Sequence, residues 1–372
     1  MRIEILIYCY GAICLSMIAF NLAYMFILKS GVRKLRKNER VFTGRIFEQL
    51  CKIEDGEEIV PEHLSYLSKH LSRVRNLMSY DASLDEIAKQ NGEEIGIYLK
   101  EIQSVFLYLA TVYLKKERMQ SAYFAYFLFK HKICEKMPFS AMIDVLKEYL
   151  KKDSLYCRHN AMKALCAMGN AENVLEGLKA LEKENVFIHG KIVSEGLLGF
   201  EGDHSVLISQ FWEHLFEFSE VTQVAILNYI RFKSGDYGEK MLNILKDKKI
   251  SPELHFCAIR YFGKYKYMPA YDVLIDFAKD NDELNWQYAA FSALSLSLYQ
   301  SEKTVQVLKN ALFSSNWYVR YNAAQSLEML NVSYEQLSDI IYGNDRFARE
   351  MMMYRFDHRE LTESAKGADL TC

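Results

Sequence analysis

The sequence predicts an all-α protein, an α-α superhelix of stacked helical hairpins preceded by one N-terminal transmembrane helix. Three observations indicate this fold. The 372 residues include only 17 Gly and 4 Pro, a scarcity that favours helices. The N-terminal region contains one uninterrupted apolar segment. Beyond residue 153 a short motif recurs about every 32 residues, which is typical of helical repeats because each unit packs on its neighbours.

The N-terminal apolar segment is long enough to cross a bilayer. Residues 5–28 contain one strongly polar side chain, Asn21, and at about 1.5 Å per residue a helix of this length spans the roughly 30 Å hydrocarbon core. A cleaved secretory signal is the alternative, but such a signal carries its positive charge before a shorter apolar stretch. Here the basic residues follow the segment: Lys29, Arg33, Lys34, Arg36, Lys37 and Arg40. We therefore predict an uncleaved single-pass anchor over residues 1–28, inserted by residues 5–28.

The charge distribution predicts the orientation and excludes one class of partner. Lys and Arg near a span stay in the cytoplasm, so we expect a cell-membrane protein with its N-terminus outside and its C-terminal domain cytoplasmic. Residues 29–40 carry six basic and one acidic side chain, a net of +5; this is expected of a stop-transfer flank, with attraction to anionic lipid as the alternative. Subtracting +5 from the whole-chain charge of −2 leaves −7 on residues 41–372. An acidic body lacks the electrostatic footprint of a nucleic-acid partner.

Residues 29–152 are expected to connect the anchor to the repeats. We predict a basic juxtamembrane segment and a short helix (41–53) within residues 29–60, and a helical region over 61–152 whose relation to the repeats stays open. Pro61 suits a first helical position and opens a predicted helix over 61–79. Ser83 and Glu86 match a capping box. The apolar stretch 102–114 and the aromatic stretch 122–129 are expected to be buried in protein, with a docking face or membrane contact as the alternative for the second.

The recurring motif has a small residue at its anchor position and large residues three and four positions later. The small residue lets one helix approach its neighbour closely, and the large residues fill the seam. The steps between anchor positions are 33, 31, 33, 32 and 33 residues, at Ala161, Ser194, Ala225, Ala258, Ala290 and Ala323. We predict about six helical hairpins with a C-terminal cap over residues 153–361, followed by a disordered tail over 362–372.

Two units carry the motif most completely, one from Asp153 to Leu165 and one from Asn316 to Leu327. They resemble HEAT-like repeats of the short variety grouped with phycobilin lyases, whose pattern is Asp, then Val-Arg, two residues, Ala-Ala, one residue and Ala-Leu. The resemblance covers residues 153 to about 345, implies a HEAT-like solenoid, and implies that the motif arginine pairs with acids of the next unit. The middle units lack that arginine. The residues expected to maintain the repeat are Arg158, Asn160, Ala161, Leu165, Ala258, Ala290, Arg320, Asn322, Ala323 and Leu327.

The sequence contains no recognisable catalytic, cofactor-binding or metal-binding motif. It has no HExxH pattern and no phosphate-binding loop. Cys157 and Cys166 occupy apolar positions of the motif and are expected in the core. His63 and His70 lie two helical turns apart and are expected to be solvated. We accordingly predict no enzymatic activity, no cofactor and no small-molecule substrate.

The predicted function is that of a membrane-tethered cytoplasmic scaffold or adaptor that binds a protein partner through its repeats. Trp317 and Tyr318, next to Arg320 at the start of the last unit, are the candidate protein-binding residues, since aromatic and arginine side chains dominate interface energies. Another membrane protein or a cell-envelope assembly is the expected partner. The alternative is an enzyme of the HEAT-like lyase type or a ligand-sensing regulator, which a deep pocket lined by polar groups from several units would favour.

Overall fold

A computed structural model describes residues 2–89, 92–136, 140–184, 186–280 and 283–369, and these are helical with no β-strand among them. The predicted all-α class is therefore confirmed. The chain divides into two compact units. Unit 1 comprises Met1–Val186 with Gly199–Gly202, and unit 2 comprises Phe187–Leu198 with Asp203–Cys372.

Unit 1 is built around buried aromatic side chains. Tyr80, Tyr98, Phe106, Phe124 and Phe127 are fully buried, so the aromatic stretch 122–129 is largely core, as expected. The helices are α1 (Arg2–Glu54), α2 (Pro61–Leu71), α3 (Val74–Ala88), α4 (Gly92–Glu101), α5 (Gln103–Leu114), α6 (Arg118–Lys130), α7 (Ser140–Lys151), α8 (Leu155–Ala167) and α9 (Ala171–Lys183). Helix α1 packs on α3, α2 packs on α5, and α6 packs on α8. Helix α7 packs on α5, α8 and α9.

Helix α1 joins the apolar N-terminal segment to the core of unit 1 without a break. Its apolar part has none of its residues buried, whereas Phe42, Ile46 and Leu50 further along are buried. A separate helix over 41–53 was expected, but no proline interrupts α1 and single glycines are tolerated inside a helix. Within the described residues α1 is long and apolar enough to cross a membrane, as are α4 and α5 if a pair bent by 68° counts as one span. A signal sequence would meet the same two criteria.

Two helix boundaries in unit 1 differ from the sequence predictions. The helix expected over 61–79 breaks at Ser72, whose hydroxyl donates to the Lys69 carbonyl at the end of α2. The predicted capping box is wrong, because Ser83 lies inside α3 and donates to the carbonyls of Glu39 and Ser79. The stretch 102–114 begins at the bend before α5, and its buried side chains include Phe106.

Unit 2 shows a regular order of helix contacts. Every second helix from α10 to α20 packs on the next in that series, so α10 contacts α12, α12 contacts α14, and so on to α20. The helices are α10 (Gly190–Leu198), α11 (His204–Glu213), α12 (Glu220–Lys233), α13 (Gly238–Lys246), α14 (Pro252–Phe262), α15 (Tyr271–Lys279), α16 (Trp286–Ser295), α17 (Glu302–Ala311), α18 (Trp317–Met329), α19 (Ser338–Ile341) and α20 (Arg346–Asp369). Helix α20 continues through most of the segment predicted as a disordered tail, and residues 370–372 lie outside the described part of the chain.

Some turns between helices combine a glycine at the end of one helix with a polar cap at the start of the next. Gly169 has a φ of 70°, the left-handed conformation that glycine adopts without strain at a helix end. Asn170 then caps α9 by accepting from the Asn173 amide, and Asp203 and Ser301 cap α11 and α17 in the same manner. These three caps set where α9, α11 and α17 begin.

Candidate functional site

The first turn of α18 and one face of α20 form an aromatic groove in unit 2. Trp317 and Tyr321 are four residues apart on α18, and Phe347, Met351 and Tyr354 follow one face of α20 at intervals of four and three. Helical residues at these intervals share a face, so each helix contributes a continuous row of side chains. Together with Arg320 and Glu350 they line a groove of about 520 Å³.

The groove exposes large aromatic surfaces while holding some of them in fixed contacts. Trp317, Phe347 and Tyr354 are 50%, 62% and 56% exposed. The Trp317 ring stacks on Tyr321 with 4.8 Å between ring centroids. The Arg355 guanidinium lies over the Tyr321 ring, 4.3 Å from its centroid. Stacking reduces the freedom of these rings before any partner binds, which lowers the entropic cost of binding.

Arg320 is held in the groove by its own loop. Its Nη1 donates to the carbonyl oxygens of Ser314 and Ser315 at 2.5 and 3.2 Å, and its guanidinium carbon lies 5.2 Å from the Phe347 centroid. No acidic side chain among the described residues forms an ion pair with it. The polar ladder implied by the HEAT-like resemblance is therefore absent at Arg320, which instead closes the start of α18 onto α20.

The structure separates the two aromatic residues that the sequence paired. Tyr318 is 56% exposed but does not line the groove; its ring stacks on Trp286 of α16 with centroids 5.4 Å apart. It touches Trp317 only edge-on, at 5.2 Å. Consecutive residues on a helix point about 100° apart, so one faces α20 and the other faces α16. Trp317 belongs to the groove and Tyr318 to the neighbouring helix contact.

The residues assigned to the repeat lie in or beside the helix seams. Ala161, Leu165, Ala258, Ala290, Ala323 and Leu327 are buried, and Arg158 is half-buried. Two asparagines make equivalent bonds between helices: Asn160 Nδ2 donates to the Ala122 carbonyl at 3.0 Å, and Asn322 Nδ2 to the Ala290 carbonyl at 2.8 Å. In each case a motif side chain satisfies a backbone oxygen on a helix that packs against its own, α6 for α8 and α16 for α18.

A second cavity lies between α10, α12 and α14 and is lined by polar side chains from three predicted repeats. Its volume is about 490 Å³. The Asn228 side-chain oxygen is buried and lacks a hydrogen-bond partner among the described residues. The polar side chains that line the cavity are His189, Lys191, Ser194, Glu220, Asn228 and Glu253.

A third cluster joins α3 to the end of α6 in unit 1. Asp81 is buried and accepts from Tyr123 at 2.5 Å, from Lys130 at 2.7 Å and from the His131 ring at 2.6 Å. Burial by itself would raise the pKa of Asp81, but the bonds from His131, Lys130 and Tyr123 lower it to about 2. Asp81, Asp85 and His131 also have the spacing to hold a metal ion. Lys130 contacts both carboxylates, so its ammonium group already supplies the compensating positive charge.

The two cysteines expected in the core lie there. Cys157 and Cys166 are buried, and burial raises the pKa of their thiols to about 11 and about 12. A thiol that stays protonated at neutral pH is a poor nucleophile. This chemistry favours a packing role for both side chains.

Several groove residues were missed by the sequence reasoning. The sequence predicts only a C-terminal cap for this part of the chain, and it assigns no role to Tyr321 or Phe347. The signal was present, since positions 347, 351 and 354 form an apolar row that continues past the last hairpin. What the sequence lacks is any indication that this row faces the first turn of α18.

No protein-family model matches the chain, and no curated protein matches it significantly in sequence.

Proposed function

We propose that the protein is a membrane-tethered scaffold in which a HEAT-like solenoid of helical hairpins presents the aromatic groove to a protein partner on the cytoplasmic side. The groove carries this proposal: a row of half-exposed aromatic side chains and an arginine is the composition that dominates protein interfaces. Monomeric proteins rarely leave such rows uncovered.

The solenoid arrangement is supported by the order of contacts within unit 2. In a HEAT-like array the first helix of each hairpin stacks on the first helix of the next, and α10, α12, α14, α16 and α18 contact one another in that sequence. Hydrogen bonds recur with the same separation. Asn322 bonds Ala290, 32 residues earlier, and Ser326 bonds Ala293, 33 residues earlier.

The tether is supported by the exposure of the apolar part of α1. A core helix would bury such side chains, yet Phe20, Phe26 and Ile27 are each about 70% exposed or more. The basic residues after Leu28 favour an anchor with its C-terminal side in the cytoplasm. Anchoring confines the protein and a membrane-bound partner to one thin layer, which raises their effective concentration without a new contact.

Site-specific photocrosslinking in native membranes tests the docking groove. A photoreactive amino acid at Tyr354 should give a discrete protein adduct, and the same amino acid at Tyr156, which is in unit 1 and somewhat more exposed, should not. Trp317→Ala combined with Phe347→Ala should abolish the Tyr354 adduct, because it removes two of the aromatic anchors. Tyr156→Ala is the matched control and should leave the adduct intact. Equal adducts at both positions, or an adduct that survives the double substitution, would contradict the groove as the docking site.

The polar cavity between α10, α12 and α14 supports a second candidate function, a ligand-sensing regulator. Three predicted repeats contribute polar groups to it, and the unpaired Asn228 oxygen offers an acceptor to a small polar ligand. Native mass spectrometry of the full chain, extracted gently from membranes, distinguishes the two functions. A bound small molecule that is lost in Asn228→Ala but kept in Trp317→Ala would support the regulator. If no small molecule is bound to the wild-type chain, the scaffold is the function supported.

A further inference from the structure

The side-by-side packing of α1 and α3 sets how close unit 1 lies to the apolar segment. Ser79 Oγ donates to the Leu35 carbonyl at 3.1 Å, and Ser83 Oγ to the Glu39 carbonyl at 2.9 Å. Both chain positions advance by four residues from one bond to the next, so α3 runs parallel to α1. The N-terminus of α3 therefore points back along α1 toward residues 5–28.

The first turn of α3 consequently lies near the level where the apolar segment ends. Leu35 follows Leu28 by roughly 10 Å of helix, and Val74 precedes Ser79 by roughly 8 Å. The start of α3 thus lies about 3 Å beyond the end of the apolar segment along the axis of α1. The headgroup layer of a bilayer is about 5–7 Å thick, so the start of α3 lies at the level of the headgroups.

This corner of unit 1 is basic, and its charges are unpaired. Lys69, Arg73 and Arg75 are exposed, and none has an ion-pair partner in the described part of the chain. Residues 69–75 include no acidic side chain. The exposed basic side chains of α1 at neighbouring levels are Lys29, Arg33, Lys34, Arg36, Lys37 and Arg40, again without ion pairs among the described residues.

The arginines at this corner also contradict the usual chemistry of a helix start. Arg73 stands at the N-cap of α3 with no side-chain cap, Arg75 lies in the first turn, and that turn contains no acidic residue. The positive end of the helix dipole disfavours cations there and favours an anion. Arginines that are unfavourable at the start of a helix, with no acidic residue in the same turn to compensate them, indicate that these side chains have a role other than stabilising the fold.

We propose that the α2–α3 corner and the basic stretch of α1 together bind the headgroup phosphates of anionic phospholipids, so that unit 1 rests on the membrane surface. The inference rests on the proposed membrane span and adds a lipid-binding site to it. The remainder of the chain is acidic, with −7 on residues 41–372 even when this corner is included, so the attraction to an anionic surface is confined to this end. A rigid contact at the headgroups would fix the height of unit 1 above the bilayer.

Hydrogen exchange on the full chain in liposomes tests the site. Amides of residues 69–78 should exchange more slowly when about a third of the phosphatidylcholine is replaced by phosphatidylglycerol, and added salt should weaken this protection. Arg73→Gln with Arg75→Gln should lower the affinity for phosphatidylglycerol about 25-fold, since each basic residue near an anionic surface contributes roughly fivefold. Both residues are too far along the chain from Leu28 to determine the orientation of the span.

Two further variants make the result decisive. Lys248→Gln with Lys249→Gln removes the same two charges from an exposed turn of unit 2 and should keep the protection. Arg73→Lys with Arg75→Lys should retain most of it, which separates loss of charge from loss of folding. Exchange that is the same in both liposomes, or a Gln pair that behaves like the Lys248 and Lys249 control, would overturn the site. If the chain stays in liposomes after a carbonate wash but lacks this protection, the membrane span is supported and the lipid site is contradicted. If the wash removes the chain, both proposals are contradicted.

Discussion

Single side chains link neighbouring helices of unit 2 by donating to backbone carbonyls. Ser326 is buried on α18 and donates to the Ala293 carbonyl at 2.8 Å, and Ser295 on α16 donates to Ile259 at the same distance. The Ile259 carbonyl also accepts from the Gly263 amide, so the Ser295 hydroxyl uses its second lone pair. The bonds also satisfy hydroxyl groups that would otherwise be buried at a cost.

A pair of serine substitutions measures the value of these bonds. Ser326→Ala should lower the free energy of unfolding by about 1–2 kcal/mol, because it removes a buried hydrogen bond. Ser292→Ala is the matched control: Ser292 is equally buried, but its hydroxyl has no partner among the described residues. Its removal should be neutral or stabilising. Urea unfolding of the full chain in detergent, followed by circular dichroism, compares the two, and equal losses would show that the bond to Ala293 is not what stabilises the seam.

His63 shows where reasoning from helical spacing was wrong. It was expected to be solvated, but it is 3% exposed and 2.8 Å from the Tyr98 hydroxyl, which in turn accepts from Tyr80. Burial, followed by the nearby charge of Arg45, lowers the pKa of His63 to about 4. The seven-residue spacing from His70 predicted a shared helix face correctly, but it did not reveal which part of that face is covered.

The buried His63 predicts a pH dependence of stability. The unfolded chain takes up a proton near the ordinary pKa of 6.5 and the folded chain only near 4, so stability should fall as the pH drops through this interval. The loss should approach about 3 kcal/mol at the lower end. His63→Gln should flatten the profile between pH 6.5 and 4, whereas His189→Gln, at an exposed position, should not. A wild-type profile that is flat over this range would contradict the buried neutral imidazole. A further loss of stability between pH 3.8 and about 2 is expected from Asp81, whose pKa is lowered over that interval.

At the scale of elements, some helix starts depend on local chemistry, whereas others depend on contacts that are distant in the chain and were not predicted. Asn170 and Asp203 cap α9 and α11 through bonds to amides of the first turn. The sequence did not predict that residues 29–54 join the apolar segment in one helix, and this part of α1 packs against α3 and α4, which are distant in the chain. The start of α3 at Val74 likewise depends on contacts with α1.

The turn at Gly169 depends on a close approach of two glycine backbones. A Cβ atom on Gly202 would lie 2.1 Å from the Gly169 carbonyl oxygen, too close for any side chain. Gly202→Ala should therefore lower the free energy of unfolding by about 2–4 kcal/mol. Gly44→Ala is the control, since a Cβ there meets nothing within 4 Å and alanine should stabilise α1 by about 0.5–1 kcal/mol. Thermal unfolding of both variants checks this, and a Gly202→Ala chain as stable as wild type would exclude the tight turn.

At the scale of the whole molecule, the chain consists of two helical units and an apolar helix that enters the first of them. The repeat motif crosses the boundary between the units, since Ala161 lies in unit 1 and the later anchor positions lie in unit 2. The cytoplasmic placement of both units remains a prediction from the charges around residues 5–28.

Protease accessibility tests that placement. With the N-terminus outside, protease added to intact cells should leave the chain beyond Lys29 undigested, and protease added to inside-out vesicles should degrade it. An epitope at the C-terminus, after Cys372, reports on both preparations, and a known periplasmic or extracellular domain serves as the control. Digestion of the C-terminal epitope in intact cells would reverse the orientation, and with it the proposed cytoplasmic partner.

The sequence by itself determined what depends on composition and on spacing within one element. The long apolar helix, the all-α class and the burial of the alanines at the recurring anchor positions follow from local patterns whose effect is the same in many contexts. Only the tertiary structure decided which faces meet. It placed Phe347 and Tyr354 opposite Trp317, turned Tyr318 toward Trp286, buried His63, and set the basic start of α3 beside α1. These contacts join residues far apart in the chain, and a pattern within one helix carries no information about the register of its neighbour.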